Sequence, residues 1–131
     1  MNDNLDKILA EISAGELIDK ISILEIKKEK IKNKEKLTEI EKELKSLTGT
    51  YEQKIKSSEK LENLSNKLKE INLKLWNIED EKREAEKEKK FDSTFVELAR
   101  NVYKFNDERA EIKLRINKLL GSNIKEVKSY K

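Results

Sequence analysis

The sequence contains no cysteine, no histidine and no proline. Without cysteine there are no disulfides and no thiolate chemistry. Without histidine the usual general base and the commonest metal ligand are gone. Any metal would have to be held by oxygen, which restricts the choice to hard cations. No cofactor is expected, and Mg2+ or Mn2+ held by carboxylates is the one exception the composition leaves open. With no proline, nothing forces a helix to stop in mid-run. Glycine occurs three times, and aromatic residues make up 5% of the chain. No apolar run approaches the roughly 20 residues of a membrane-spanning helix. The opening residues, MNDNLDKILAEIS, are too acidic and too interrupted for a signal peptide. The expectation is a soluble cytoplasmic protein that has no membrane partner.

What the chain has in quantity is charge. Charged residues make up 44% and hydrophobic ones 35%, yet the formal net charge is only +3. Low hydrophobicity with high charge is also the signature of disorder. Disorder, however, goes with a large net charge and no periodicity, and here the periodicity is strong. The charges therefore read as solvated helix faces rich in Glu and Lys. At 131 residues, one domain is expected.

The clearest periodicity lies in residues 91–121. Phe95, Leu98, Val102, Phe105, Ile112, Ile116 and Leu119 recur in steps of three and four once Arg109, the charged member of the series, is included. A second stripe adjoins it: Ala99, Tyr103, Asn106, Ala110 and Asn117. The spacing predicts a helix over 93–120 that packs between two partners, capped by Asp92 or Ser93 and ended by Gly121. Leu61, Leu64, Leu68, Ile71, Leu75 and Ile78 predict a second helix over 59–90 with a coiled-coil seam. Ser13-Ala14-Gly15-Glu16 fits a capping box and predicts a helix over 14–48. Its apolar phase slips after Ile31 and resumes at Leu37, Ile40, Leu44 and Leu47, which reads as a change of winding. Thr48-Gly49-Thr50 is the stop signal, and residues 49–58 the turn, with Ser57 or Ser58 capping the next helix. Residues 1–13 form a short N-terminal segment, in which residues 4–13 are either helix or strand. Residues 121–131 form an extended tail whose alternation would let it pair with residues 8–13. The fold class is all-α: an elongated antiparallel helical bundle or coiled coil of three main helices. Leftover apolar stripe favours a homodimer or another protein partner.

One constellation stands out for chemistry: Trp76, Glu79, Asp80 and Arg83, in LWNIEDEKRE. In a hairpin turning near Phe91, residues equidistant from the turn meet. That sets this group opposite Arg100, Tyr103, Asn106, Asp107 and Arg109. The bland reading is a polar network that fixes helix register. The sharper one is a site for a small polar or anionic ligand, because guanidinium forks suit carboxylate and phosphate. Arg109 lies on the apolar stripe, so its head needs a carboxylate. Asp80 is the expected partner, with Glu79 and Glu70 as alternatives. A second group, Glu16, Asp19, Lys20, Glu25 and Lys27, reads as an amphipathic helix whose early acids answer the macrodipole. The run over 27–36 has six lysines against two glutamates, without arginine or aromatic residues. It reads as a solvated face, and nucleic acid is not an expected partner.

Enzyme templates fit poorly, and the residues leave open whether the protein is an enzyme. There is no P-loop and no nucleophile elbow. Glu81-x-x-Glu84 has the spacing by which all-helical nucleotide pyrophosphohydrolases hold Mg2+, but no second cluster faces it. The segment ELIDKISILEIKKEKI is similar to the first helix of the helical chorismate mutases, and the early arginine of those enzymes is missing. The phrases GELIDKISILEIK, LWNIEDEKREAE, FDSTFVELARNVY, NDERAEIKLRIN and GSNIKEVKSY together resemble an uncharacterised bacterial family of short helical proteins, a domain of unknown function. The resemblance spans most of the chain outside roughly 35–60. It implies helical structure and assigns neither activity nor site residues. The leading expectation is a non-enzymatic interaction or scaffold protein that self-associates. The alternative is a ligand-binding protein or enzyme using the polar rim of Trp76, Asp80, Arg83, Tyr103, Asn106 and Arg109.

Overall fold

A computed structural model describes residues 5–128 and contains four helices: α1 (Ala14–Lys30), α2 (Lys34–Lys54), α3 (Glu59–Glu88) and α4 (Ser93–Leu120). The outermost parts of the N-terminal segment and of the tail, residues 1–4 and 129–131, lie outside the described residues. Each helix begins at a side chain suited to capping. Ser13 Oγ accepts from the Glu16 amide at 3.0 Å, and Asn33 Oδ1 from the Lys36 amide at 3.0 Å. Ser58 Oγ accepts from the Leu61 amide at 3.2 Å, and Asp92 Oδ1 from those of Thr94 and Phe95 at 3.1 and 3.2 Å. Gly121 closes α4 in the left-handed region at φ 62°, where a missing Cβ relieves the usual strain. The capping box is half made: the Glu16 carboxylate reaches α4 instead of its own N-terminus.

The all-α class holds, but three main helices become four. The single helix expected over 14–48 is broken at residues 31–33. Ile31 turns extended while its amide still bonds the Lys27 carbonyl at 2.8 Å, and Asn33 caps a new start. The slip in apolar phase thus marks a reversal, and α2 folds back along α1. The expected turn at 49–58 shrinks to 55–58, because α2 runs through Gly49 to Lys54. Tyr51 and Ile55 pack on the core at that end, and packing overrides the weak propensity of Thr-Gly-Thr. Among the described residues, neither the N-terminal segment nor the tail forms a helix or strand. The two segments meet through side chains, as with Asn123 Nδ2 and Glu11 Oε1 at 2.5 Å.

α3 and α4 form an antiparallel hairpin, with Lys74 Nζ 5.3 Å above the Phe105 ring. α1 packs against both, and α2 packs on α1. Ile18, Leu61, Leu68, Ile71, Ile112 and Ile116 make the core, at the end of the hairpin far from its turn. Toward Phe91 the hairpin continues as two helices packed on each other, with Phe91 and Phe95 edge to face at 5.3 Å. This layout brings the first two turns of α1 against the last three turns of α4.

Candidate functional site

Gly15, Asp19, Ser22 and Ile26 follow one another in steps of four, three and four, so they share one face of α1, and all four are buried. On α4, Arg109, Lys113 and Asn117 recur every fourth residue and face them. Asp19 lies at the centre, its side chain 1% exposed. Arg109 grips it with two prongs: Nε donates to Oδ1 at 3.0 Å and Nη2 to Oδ2. Asn72 of α3 donates from Nδ2 to Asp19 Oδ1 and to Ser22 Oγ, both at 2.8 Å. Lys113 Nζ stands 3.8 Å from Asp19 Oδ2 and 2.6 Å from a carboxylate oxygen of each of Glu16 and Glu126. The other oxygen of Glu126 accepts from Ser13 Oγ at 2.8 Å and Asn117 Nδ2 at 2.9 Å. Among the described residues, no buried side-chain nitrogen or oxygen lacks a partner. The network is thus closed within the chain, as burial of charge requires.

The electrostatics follow from these bonds. The hydrogen bond to Asp19 holds the Arg109 guanidinium above its ordinary value, against the opposing effect of burial. Burial works against the charge on Lys113, yet hydrogen bonds to Glu126 and Glu16 outweigh it and raise the ammonium. Burial likewise opposes the charge on Glu126, but donors from Lys113, Asn117 and Ser13 prevail and lower its carboxyl from the ordinary 4.5. A lowered carboxyl stabilises the fold above its unfolded value and loses that contribution as pH falls through the folded value. The melting temperature is therefore expected to drop as pH falls from about 5 toward 3, and to drop less in Glu126→Gln. Thermal melts across that range that coincide for the two proteins would show that Glu126 carries none of the acid sensitivity.

Two hollows flank Arg109. A cleft of about 340 Å³ gathers Trp76, Glu79, Asp80, Arg83, Asn106 and Arg109 around Ile23, Ile26 and Leu75. A second hollow of about 690 Å³ is lined by Tyr103, Asn106, Asp107, Arg109, Lys113, Glu126 and Lys128. Of the nine residues expected at the rim, Arg100 lines neither and is exposed. The expected partner of Arg109 is corrected: it is Asp19 and not Asp80. Asp80 is exposed, 3.9 Å from Arg83, and Glu79 pairs with Lys82 at 3.6 Å. The physical reason is that α1 lies on α4 and supplies a carboxylate closer than any across the α3/α4 hairpin. In the sequence Asp19 and Glu16 look like acids answering the helix macrodipole, and no local pattern singles out Asn72, Lys113 or Glu126. Asp19 had a signal, a charge four residues from Gly15 and Ile23 on an apolar face. Glu126 had none.

Among the described residues, no group of three or more acidic side chains could hold a metal ion. No described helix is long and apolar enough to cross a membrane. A family model described as a family of unknown function, DUF6165, matches residues 8–131. The chain belongs to this family. The DUF6165 match takes in all four helices, the whole Asp19 network and the five phrases quoted above. Neither the curated proteins nor the solved structures gave a match.

Proposed function

We propose that this protein binds a small polar ligand in the cleft between Trp76 and Arg109. The observation that carries this reading is the division of labour within one guanidinium. Nε and Nη2 of Arg109 are locked by buried Asp19, whereas Nη1, among the described residues, has only Asn106 Oδ1 at 3.5 Å. The side chain stays 29% exposed and lines both hollows. A donor held rigid before the ligand arrives loses little entropy on binding. Trp76, Ile23, Ile26 and Leu75 supply an apolar wall, and a few convergent polar groups set orientation, the usual make-up of a small-molecule site. Glu79 and Asp80 balance Arg83 and Arg109, and Asp19 stands behind Arg109. That balance favours a neutral or zwitterionic ligand over a strongly anionic one. A thermal-shift screen with polyols, amino acids, carboxylic acids, nucleotides and divalent metals is expected to show one class raising the melting temperature by several degrees. Trp76→Ala should keep the fold and lose that shift. A panel with no response, or an unchanged response in Trp76→Ala, would remove the cleft from consideration.

A second reading, self-association, draws on the two terminal segments. Leu5, Ile8, Leu9 and Val127 are all at least 79% exposed. They lie on the two irregular segments that Glu11 and Asn123 join. A second copy covering both segments would bury them. Light scattering at micromolar concentration is expected to give twice the chain mass of 15.4 kDa, and a monomer mass would exclude this reading.

A further inference from the structure

The bend between α1 and α2 is densely basic. Residues 27–36 hold six lysines and two glutamates, a net of +4, while the whole chain carries +3. The rest of the chain therefore sums to −1. Glu29, one of the two glutamates, is turned toward Lys69 of α3 at 3.3 Å. Among the described residues, Lys27, Lys28, Lys30, Lys32, Lys34 and Lys36 make no ion pair, and all but Lys27 are exposed. Helix stability explains half of this. Lys27, Lys28 and Lys30 sit in the last turn of α1, where the macrodipole welcomes cations. Lys34 and Lys36 sit in the first turn of α2, where it repels them. Lysines placed against the dipole and left without partners are not there for the fold.

We infer that this bend docks on an anionic lipid surface. Three residues separate the two helices, and of the six lysines Lys28 alone lines one of the described hollows, so the group is spread over an exposed bend and is not gathered in one groove. Lysine is a compact point charge without the fork of arginine, and suits an array of headgroup phosphates in no fixed geometry. The bend carries no aromatic residue on which bases could stack and no arginine to read base edges, which disfavours nucleic acid. Peripheral docking of this kind needs no spanning helix.

The test is sedimentation of the full chain with vesicles of phosphatidylcholine alone or mixed with phosphatidylserine. Binding is expected to the mixed vesicles only, and to weaken as salt rises. Each lysine near such a surface changes affinity about fivefold, so Lys28→Ala, Lys32→Ala and Lys34→Ala together should weaken binding about a hundredfold. All three positions are exposed, so folding should be unaffected. Lys56→Ala, Lys60→Ala and Lys67→Ala remove the same charge elsewhere and should change binding less than about threefold. The inference is overturned by three results: no binding to mixed vesicles at low salt, equal weakening by the two triple variants, or tighter binding to duplex DNA or RNA than to vesicles.

Discussion

Arg109→Met is expected to lower stability by about 3–5 kcal/mol, the cost of leaving a buried charge without its partner. Methionine fills much of the same volume, so the loss reports charge and not packing. Asp19 would keep Asn72 at 2.8 Å and Lys113 at 3.8 Å, and it is too deeply buried for water to replace the fork. The double variant Arg109→Met with Asp19→Leu should regain most of the loss, because replacing both members of a buried pair by apolar residues is often neutral. Arg109→Met with Asp80→Leu should regain nothing, since Asp80 is exposed, pairs with Arg83 and makes no bond to the fork. Urea midpoints of the three proteins decide the matter. A harmless single change, or rescue by Asp80→Leu, would mean that the Asp19 pair does not hold α1 to α4.

Gly15→Ala should cost about 1–3 kcal/mol, the range for forcing an extra methyl into a packed contact. A Cβ at Gly15 would lie 2.6 Å from the Lys113 carbonyl oxygen and 2.9 Å from Asn117 Oδ1. Backbone cannot swing aside as a surface side chain would, so α1 and α4 must separate. The Gly15 amide also donates to Asn117 Oδ1 at 2.6 Å, and separation weakens that bond as well. Gly49→Ala gives the contrast. Nothing lies within 4 Å of its added Cβ. Inside helix α2 the change should stabilise by roughly 0.5–1 kcal/mol. Opposite signs in one denaturation series are the expected result, and equal shifts would mean the close approach at Gly15 is wrong.

What could be read from the sequence was local. Ser13, Ser58 and Asp92 start helices because their side chains satisfy amides two or three residues on, a relation confined to a few positions. The α3/α4 hairpin followed from one short connection and two matching stripes. Trp76, Asp80, Arg83, Asn106 and Arg109 came out together because hairpin register places them together. The break at 31–33 was harder, since a slip in apolar phase suits both a change of winding and a reversal. The Asp19–Arg109 pair spans 90 positions, and no pattern within either helix specifies its partner across that distance. Leu75 and Leu68 occupy equivalent places in the seam, yet Leu68 is fully buried and Leu75 only partly. The difference is set by where α1 crosses the hairpin, which the seam itself does not encode.

Glu126 touches Ser13, Lys113 and Asn117 at once. Two stretches more than a hundred residues apart in sequence are therefore fastened through one carboxylate, beside the Ala14 amide's bond to Ser122 Oγ at 3.0 Å and the Glu11–Asn123 contact. When the tail lifts, the Ser13 hydroxyl at the start of α1 loses its acceptor and Lys113 loses a counter-charge in the same event. Local opening at the two ends is then one cooperative step and not two independent ones. The first turn of α1 is thus held in part by a segment with no helix of its own, and losing that segment takes one partner each from Ser13, Lys113 and Asn117 at once.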